Sequence, residues 1–84
     1  MEGMKKIGKI IRFFSKINVA VLELTSSLKK GDTILIKGAT TNFTQTVDSM
    51  QIEHQTVEHA EEGQSIGLKV IDRVREGDTV YQVE

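Results

Sequence analysis

Apolar and polar positions along this chain alternate with a period of two, in short runs separated by charged turns, which predicts β-strands. A first strand is expected over residues 6–14 and a second over 17–24, joined at Ser15-Lys16 unless one bent strand runs through. Ile17, Val19 and Val21 alternate with Asn18, Ala20 and Leu22, so both sides are fairly apolar, as in the middle of a barrel wall. A third strand over 33–37 points Ile34 and Ile36 one way and Thr33, Leu35 and Lys37 the other. Gly38 to Phe43 reads as a loop. The fourth strand, 44–53, breaks phase: Val47 is odd, Met50 and Ile52 are even. A β-bulge near Asp48-Ser49 brings all three to the core side. Residues 54–57 form a short strand. The run 65–71 points Ile66, Leu68 and Val70 inward and Gly67, Lys69 and Ile71 outward, and a last strand covers 78–83. No apolar stripe of period 3.6 appears, so essentially no α-helix is expected.

One turn phrase recurs three times: Lys29-Lys30-Gly31-Asp32, Glu61-Glu62-Gly63-Gln64 and Arg75-Glu76-Gly77-Asp78. Each sets charged residues and a glycine before a strand, and glycine accepts the positive φ of a sharp turn. The chain has no proline, the commonest marker of an edge strand, and a sheet closed on itself is the simplest way to avoid exposed edges. The expected fold is all-β: a small closed antiparallel β-barrel of six or seven strands, with Ile34, Ile36, Ile66, Leu68 and Val70 in its core. With 84 residues, one domain over 1–84 is expected.

Composition changes this picture little. The absence of cysteine removes disulfide and thiolate chemistry and fits a cytoplasmic protein. No apolar run reaches the ~18 residues of a membrane span, and Met1 to Lys6 is not followed by a signal-peptide core, so no membrane partner is expected. The net charge of −1 hides a split. Residues 1–38 hold eight Lys/Arg and three Asp/Glu (+5), and residues 39–84 hold three and nine (−6). Such a split marks a basic surface for an anionic partner, unless the barrel interleaves early and late strands, which is the favoured reading.

Candidate chemistry is sparse. His54 and His59 lie among Glu53, Glu58, Glu61 and Glu62, yet this charged connection is read as a solvated loop. Neither a metal site nor a catalytic residue is predicted. Gly63-Gln64-Ser65-Ile66-Gly67 spells Gly-x-Ser-x-Gly, but a nucleophile elbow leads into a helix and needs a later histidine. Here a strand follows, and no histidine lies downstream. Binding is the better prospect. In Arg12-Phe13-Phe14-Ser15-Lys16, one Phe must face out beside a cation and can stack a base. Ile7, Ile11 and Phe13 put odd positions inward; Ile10 and Phe14 put even ones inward. Lys9 and Lys37 are candidate phosphate contacts, and Asn42 and Phe43 offer a hydrogen bond and a stacking ring. Lys69, Arg73 and Arg75 rank low, being mixed with Glu76 and Asp78.

Taken in order, the phrases carry a resemblance. Ile7-Gly8-Lys9-Ile10 leads to Val19-Ala20-Val21-Leu22-Glu23-Leu24, then Leu28-x-x-Gly31-Asp32-x-Ile34-x-Ile36-x-Gly38. Val47-x-Ser49-Met50-Gln51-Ile52 follows. Then come Val57-x-x-Ala60-x-x-Gly63-x-x-Ile66-Gly67-Leu68 and Arg75-x-Gly77-Asp78-x-Val80. Together they resemble the second-domain β-barrel of the translational GTPases, elongation factor Tu and initiation factor two, and especially the single-domain translation elongation factor-like proteins. A similar barrel forms the C-terminal domain of peptidase U32-type proteins. No Gly-x-x-x-x-Gly-Lys-[Ser/Thr] loop is present, so no nucleotide cofactor is expected. The resemblance implies a non-catalytic adaptor binding tRNA, ribosomal RNA or a protein of the translation machinery. The alternative is a protein–protein module accessory to a peptidase U32-like partner.

Overall fold

The computed structural model describes residues 4–83. In chain order the strands are β1 (Met4–Phe14), β2 (Val19–Leu24), β3 (Leu28–Lys29), β4 (Thr33–Lys37) and β5 (Asn42–Thr46). They continue with β6 (Met50–Ile52), β7 (Gln55–Val57), β8 (His59–Ala60), β9 (Ser65–Lys69) and β10 (Thr79–Val83). No helix occurs among the described residues.

Eight strands form one antiparallel sheet in the order β5-β4-β10-β1-β2-β9-β6-β7, and β3 pairs with β8 in a separate two-stranded ribbon. This corrects the expected closed barrel of six or seven strands. Among the described residues no ladder joins the terminal strands β5 and β7. The reason lies at Val47 to Ser49. A single bulged strand over 44–53 is expected there, but the chain instead leaves β5 and changes partners. The backbone of Val47 bonds back to the first turn, its N–H donating to the Asp32 carbonyl at 2.8 Å and its carbonyl accepting from Gly31 at 2.9 Å. Then β6 pairs with β9 and β7. Val47 and Met50 are fully buried on either side of this crossing, and Ile52 packs against the core.

The sheet nevertheless curls far enough for β5 to reach β9. Gln45 bridges the seam: its side-chain amide donates to the Lys69 carbonyl at 2.9 Å and accepts from the Ile71 N–H at 2.9 Å. A buried amide offers one donor and one acceptor here, as a strand residue would.

The three turn phrases share one geometry. Gly31, Gly63 and Gly77 have φ of 97°, 91° and 95° at the third position. The fourth residue's side chain accepts from the first residue's N–H: Asp32 from Lys29 at 3.0 Å, Gln64 from Glu61 at 2.7 Å and Asp78 from Arg75 at 2.8 Å. The fourth N–H returns to the first carbonyl at 3.1 Å in each case. These are turns of type II character, in which positive φ at the third position favours glycine.

The core runs from Ile7 and Ile10 through Ala20, Leu22, Ile34, Ile36, Ile66, Leu68 and Val70 to Val80, all buried. The ribbon adds Leu28 and Ala60. In β1 the inward residues are Ile7, Ile10 and Phe13, spaced by three rather than two. Register shifts between Lys6 and Gly8 against β10, and between Ile10 and Arg12 against β2, each insert one residue and flip the phase.

Candidate docking surface

Directly paired residues of antiparallel strands project from the same face, so the ladder pairings place the candidate residues. One outer row runs Asn42–Lys37–Thr79–Lys9–Glu23–Ser65 across six strands, from β5 to β9. Lys9, Lys37 and Asn42 are therefore brought onto one line, although Glu23 ends its basic character. The next outer row is Arg12–Val21–Gly67–Gln51–Thr56, and a third is Phe14–Val19–Lys69.

Between the two phenylalanines the structure decides. Phe14 is exposed and faces outward, while Phe13 lies against the core opposite Ala20. Phe43 also packs on the core, paired with buried Ile36. Phe13 and Phe43 are half-buried, and Phe43 also borders the hollow that Asn42 shares with Arg73 and Arg75. Lys16 sits exposed in the 15–18 turn between β1 and β2, where Asn18 adopts φ 54°. The expected second strand thus begins at Val19, and Ile17 projects from the turn. Asn42 and Phe43 belong to β5 rather than to a loop, and Asn42 borders a polar hollow of about 300 Å³ with Asp72, Arg73 and Arg75.

Beside the expected Arg12 and Phe14 these rows bring apolar residues that were not expected at the surface: Ile17 from the turn, and Val19 and Val21 from β2. Phe14, Ile17, Val19 and Val21 line an open groove of about 300 Å³ whose floor includes Gly67. Arg12 and Lys69 stand across from Val21 and Val19, and Lys16 lies between Phe14 and Ile17. Glu53 and His54 close one end. Those two form the β6–β7 turn, with φ of 51° and 67°. Positive φ at both central residues defines a type I′ turn, normally occupied by Asn-Gly. The signal for the groove was present in residues 17–22, apolar on both sides. It was read as burial on both faces, whereas the outer side is open.

Other motifs settle plainly. Ser65 opens β9, exposed and opposite Glu23, so it stands on a turn-to-strand junction and not a strand-to-helix elbow. His59 lies 3.7 Å from Glu61 at the surface, and His54 is in the separate β6–β7 turn. Among the described residues no cluster of three or more His, Cys, Asp or Glu side chains is arranged to hold a metal. No helix there is long and apolar enough to cross a membrane.

No family model matches the chain. An uncharacterised protease of Methanocaldococcus jannaschii is 49% identical over 77 residues, which is 90% of this chain and 19% of that protein. A collagenase of Porphyromonas gingivalis is 41% identical over 80 residues, 93% of this chain and 22% of that protein. The chain therefore spans about a fifth of the curated relatives it matches. Two crystal structures of the C-terminal domain of a protein from Geobacillus thermoleovorans, assigned to the U32 peptidases, have the same fold. One, a selenomethionine variant, superposes with a TM-score of 0.86 at 18% identity, covering 90% of this chain and 96% of that domain. The other gives 0.89 at 17% identity, covering 95% and 93%.

These findings correct the functional expectation. The relatives are proteases and a collagenase, and the structural neighbours are peptidase C-terminal domains. A translation adaptor binding tRNA, ribosomal RNA or a translation protein is overturned, and with it the elongation-factor assignment. The U32 side of the resemblance is the one supported.

Proposed function

We propose that residues 1–84 act as one accessory domain of a U32-type peptidase, a binding module that positions the catalytic part and cleaves no bond itself. The observation that carries this is the nearly complete superposition on a peptidase C-terminal domain. The match to only a fifth of named proteases adds to it. The side chains agree. The conspicuous surface feature is an open groove lined by Phe14, Ile17, Val19 and Val21, which suits protein contact better than bond cleavage. The module is expected to act alike whether it is joined to the catalytic part in one chain or meets it as a separate protein.

A chimera tests this. The Porphyromonas gingivalis collagenase would carry this chain in place of its matching 80-residue segment. It should digest denatured collagen at a rate close to the parent's, while the isolated chain releases no fragments. A version with the segment deleted should lose activity or melt at a lower temperature. Proteolysis by the isolated chain, or a deletion indistinguishable from the parent in both activity and melting, would overturn the reading.

A further inference from the structure

We infer that the groove over Gly67 is the face that receives the peptidase body, through an apolar side chain flanked by carboxylates. This rests on the accessory-domain reading above. Gly67 sits at the centre of β9, where glycine weakens a strand. The fold does not require it. A Cβ there would meet only Val19 Cγ1 at 3.5 Å and the Gln51 carbonyl at 3.9 Å, ordinary contact distances. Gly8 is the contrast, with a Cβ position 2.7 Å from the Glu23 carbonyl oxygen. A strand glycine that nothing inside the molecule crowds leaves its face open to the close approach of a group from outside.

Phe14 is 43% exposed and Ile17 60%, large apolar side chains side by side on a face where Val19 and Val21 are also partly open. A bare sheet face of this kind is drawn toward an apolar partner. Charge adds to this: Arg12 is paired with Val21 and Lys69 with Val19, and Lys16 stands in the adjoining turn, against Glu53 in the groove and Glu23 opposite Ser65, so cations outnumber carboxylates and the complementary surface carries carboxylates around an apolar anchor. A body is available to cover it, since the relatives extend about four-fifths of their length beyond the matching segment.

The chain contains no cysteine, so single cysteines report cleanly on cover. Ile17→Cys is placed in the groove and Lys37→Cys on β4, which β10 and β1 separate from β2. Iodoacetamide labelling is followed by mass spectrometry of each reporter peptide, in the isolated chain and in the collagenase chimera. Lys16→Cys replaces Ile17→Cys if the latter lowers the melting temperature. Ile17→Cys should react about tenfold more slowly in the chimera, the effect of about 1.4 kcal/mol of docking. Lys37→Cys should be unchanged. Gly67→Leu, whose Cβ meets nothing closer than 3.5 Å and whose side chain occupies the groove, should return the Ile17→Cys rate to that of the isolated chain carrying the same change. Arg12→Glu with Lys69→Glu should do the same through charge. Slowing at Lys37→Cys alone, or slowing at Ile17→Cys that Gly67→Leu leaves untouched, would overturn this face while sparing the accessory reading. Slowing at neither position would overturn this face, and the deletion experiment above decides the accessory reading separately.

Discussion

At Gly8 a side chain has nowhere to go, whereas at Gly67 it has room, and the difference is measurable. Alanine at Gly8 brings its Cβ to 2.7 Å from a carbonyl oxygen of β2 and from Leu22 Cδ1, so β1 and β2 must part. Overpacking of this kind costs about 1–3 kcal/mol. Alanine at Gly67 meets nothing closer than 3.5 Å and removes the entropic cost of a strand glycine, a gain of about 0.5–1 kcal/mol. Urea unfolding of the two variants should move in opposite directions. Equal losses would mean that Gly67 serves the fold, and the case for an external contact would lose its first support. Nothing in the two local sequences separates these glycines, because what distinguishes them is a neighbouring strand's backbone. The phase of Phe13 and Phe14 was hidden for a related reason. Two inserted residues in β1 turn a period of two into a spacing of three, and only the pairing with β10 and β2 shows where they fall.

Among the elements, the turns were the most readable part of this chain. Each of the three repeated phrases became a turn with a left-handed glycine, because the requirement is local and the residues carry it themselves. The alternation over 65–71 was also legible, with Ile66, Leu68 and Val70 buried and Ile71 outside, although the strand itself ends at Lys69. The region from 44 to 53 was not, since a change of pairing partner and a bulge leave the same phase error in the sequence. Gln45 illustrates the limit. A lone polar residue between threonines looks solvated, yet it is 9% exposed and holds the open seam. Gln45→Ala removes two part-buried hydrogen bonds, each worth about 0.5–1.5 kcal/mol net. A total loss of about 1–3 kcal/mol is expected in chemical denaturation, against a negligible change for the exposed neighbour Thr46→Ala. A Gln45→Ala protein as stable as wild type would show that the seam is held by packing alone.

For the molecule as a whole, chain ends that are far apart in sequence become neighbours: β10 lies between β4 and β1, and β9 lies against β2. The basic first half and acidic second half are thereby interleaved, so the sequence's charge split does not survive as two faces. The same interleaving makes one core from residues as distant as Ile7 and Val80. Leu68 lies fully buried in that core, on the strand that pairs with both β2 and β6. Removing its side chain takes contacts from both partners at once, and the sheet cannot collapse into the void without breaking a ladder. Leu68→Ala should therefore cost about 2–5 kcal/mol. A domain of this size has a total stability of about 5–10 kcal/mol, so that loss is a large share of the whole. Thermal melts should show a markedly lower midpoint for Leu68→Ala, while the exposed Lys29→Ala should melt with wild type. Equal midpoints for the two variants would mean that Leu68 is not enclosed by the curled sheet, and the shared-core architecture would have to be abandoned.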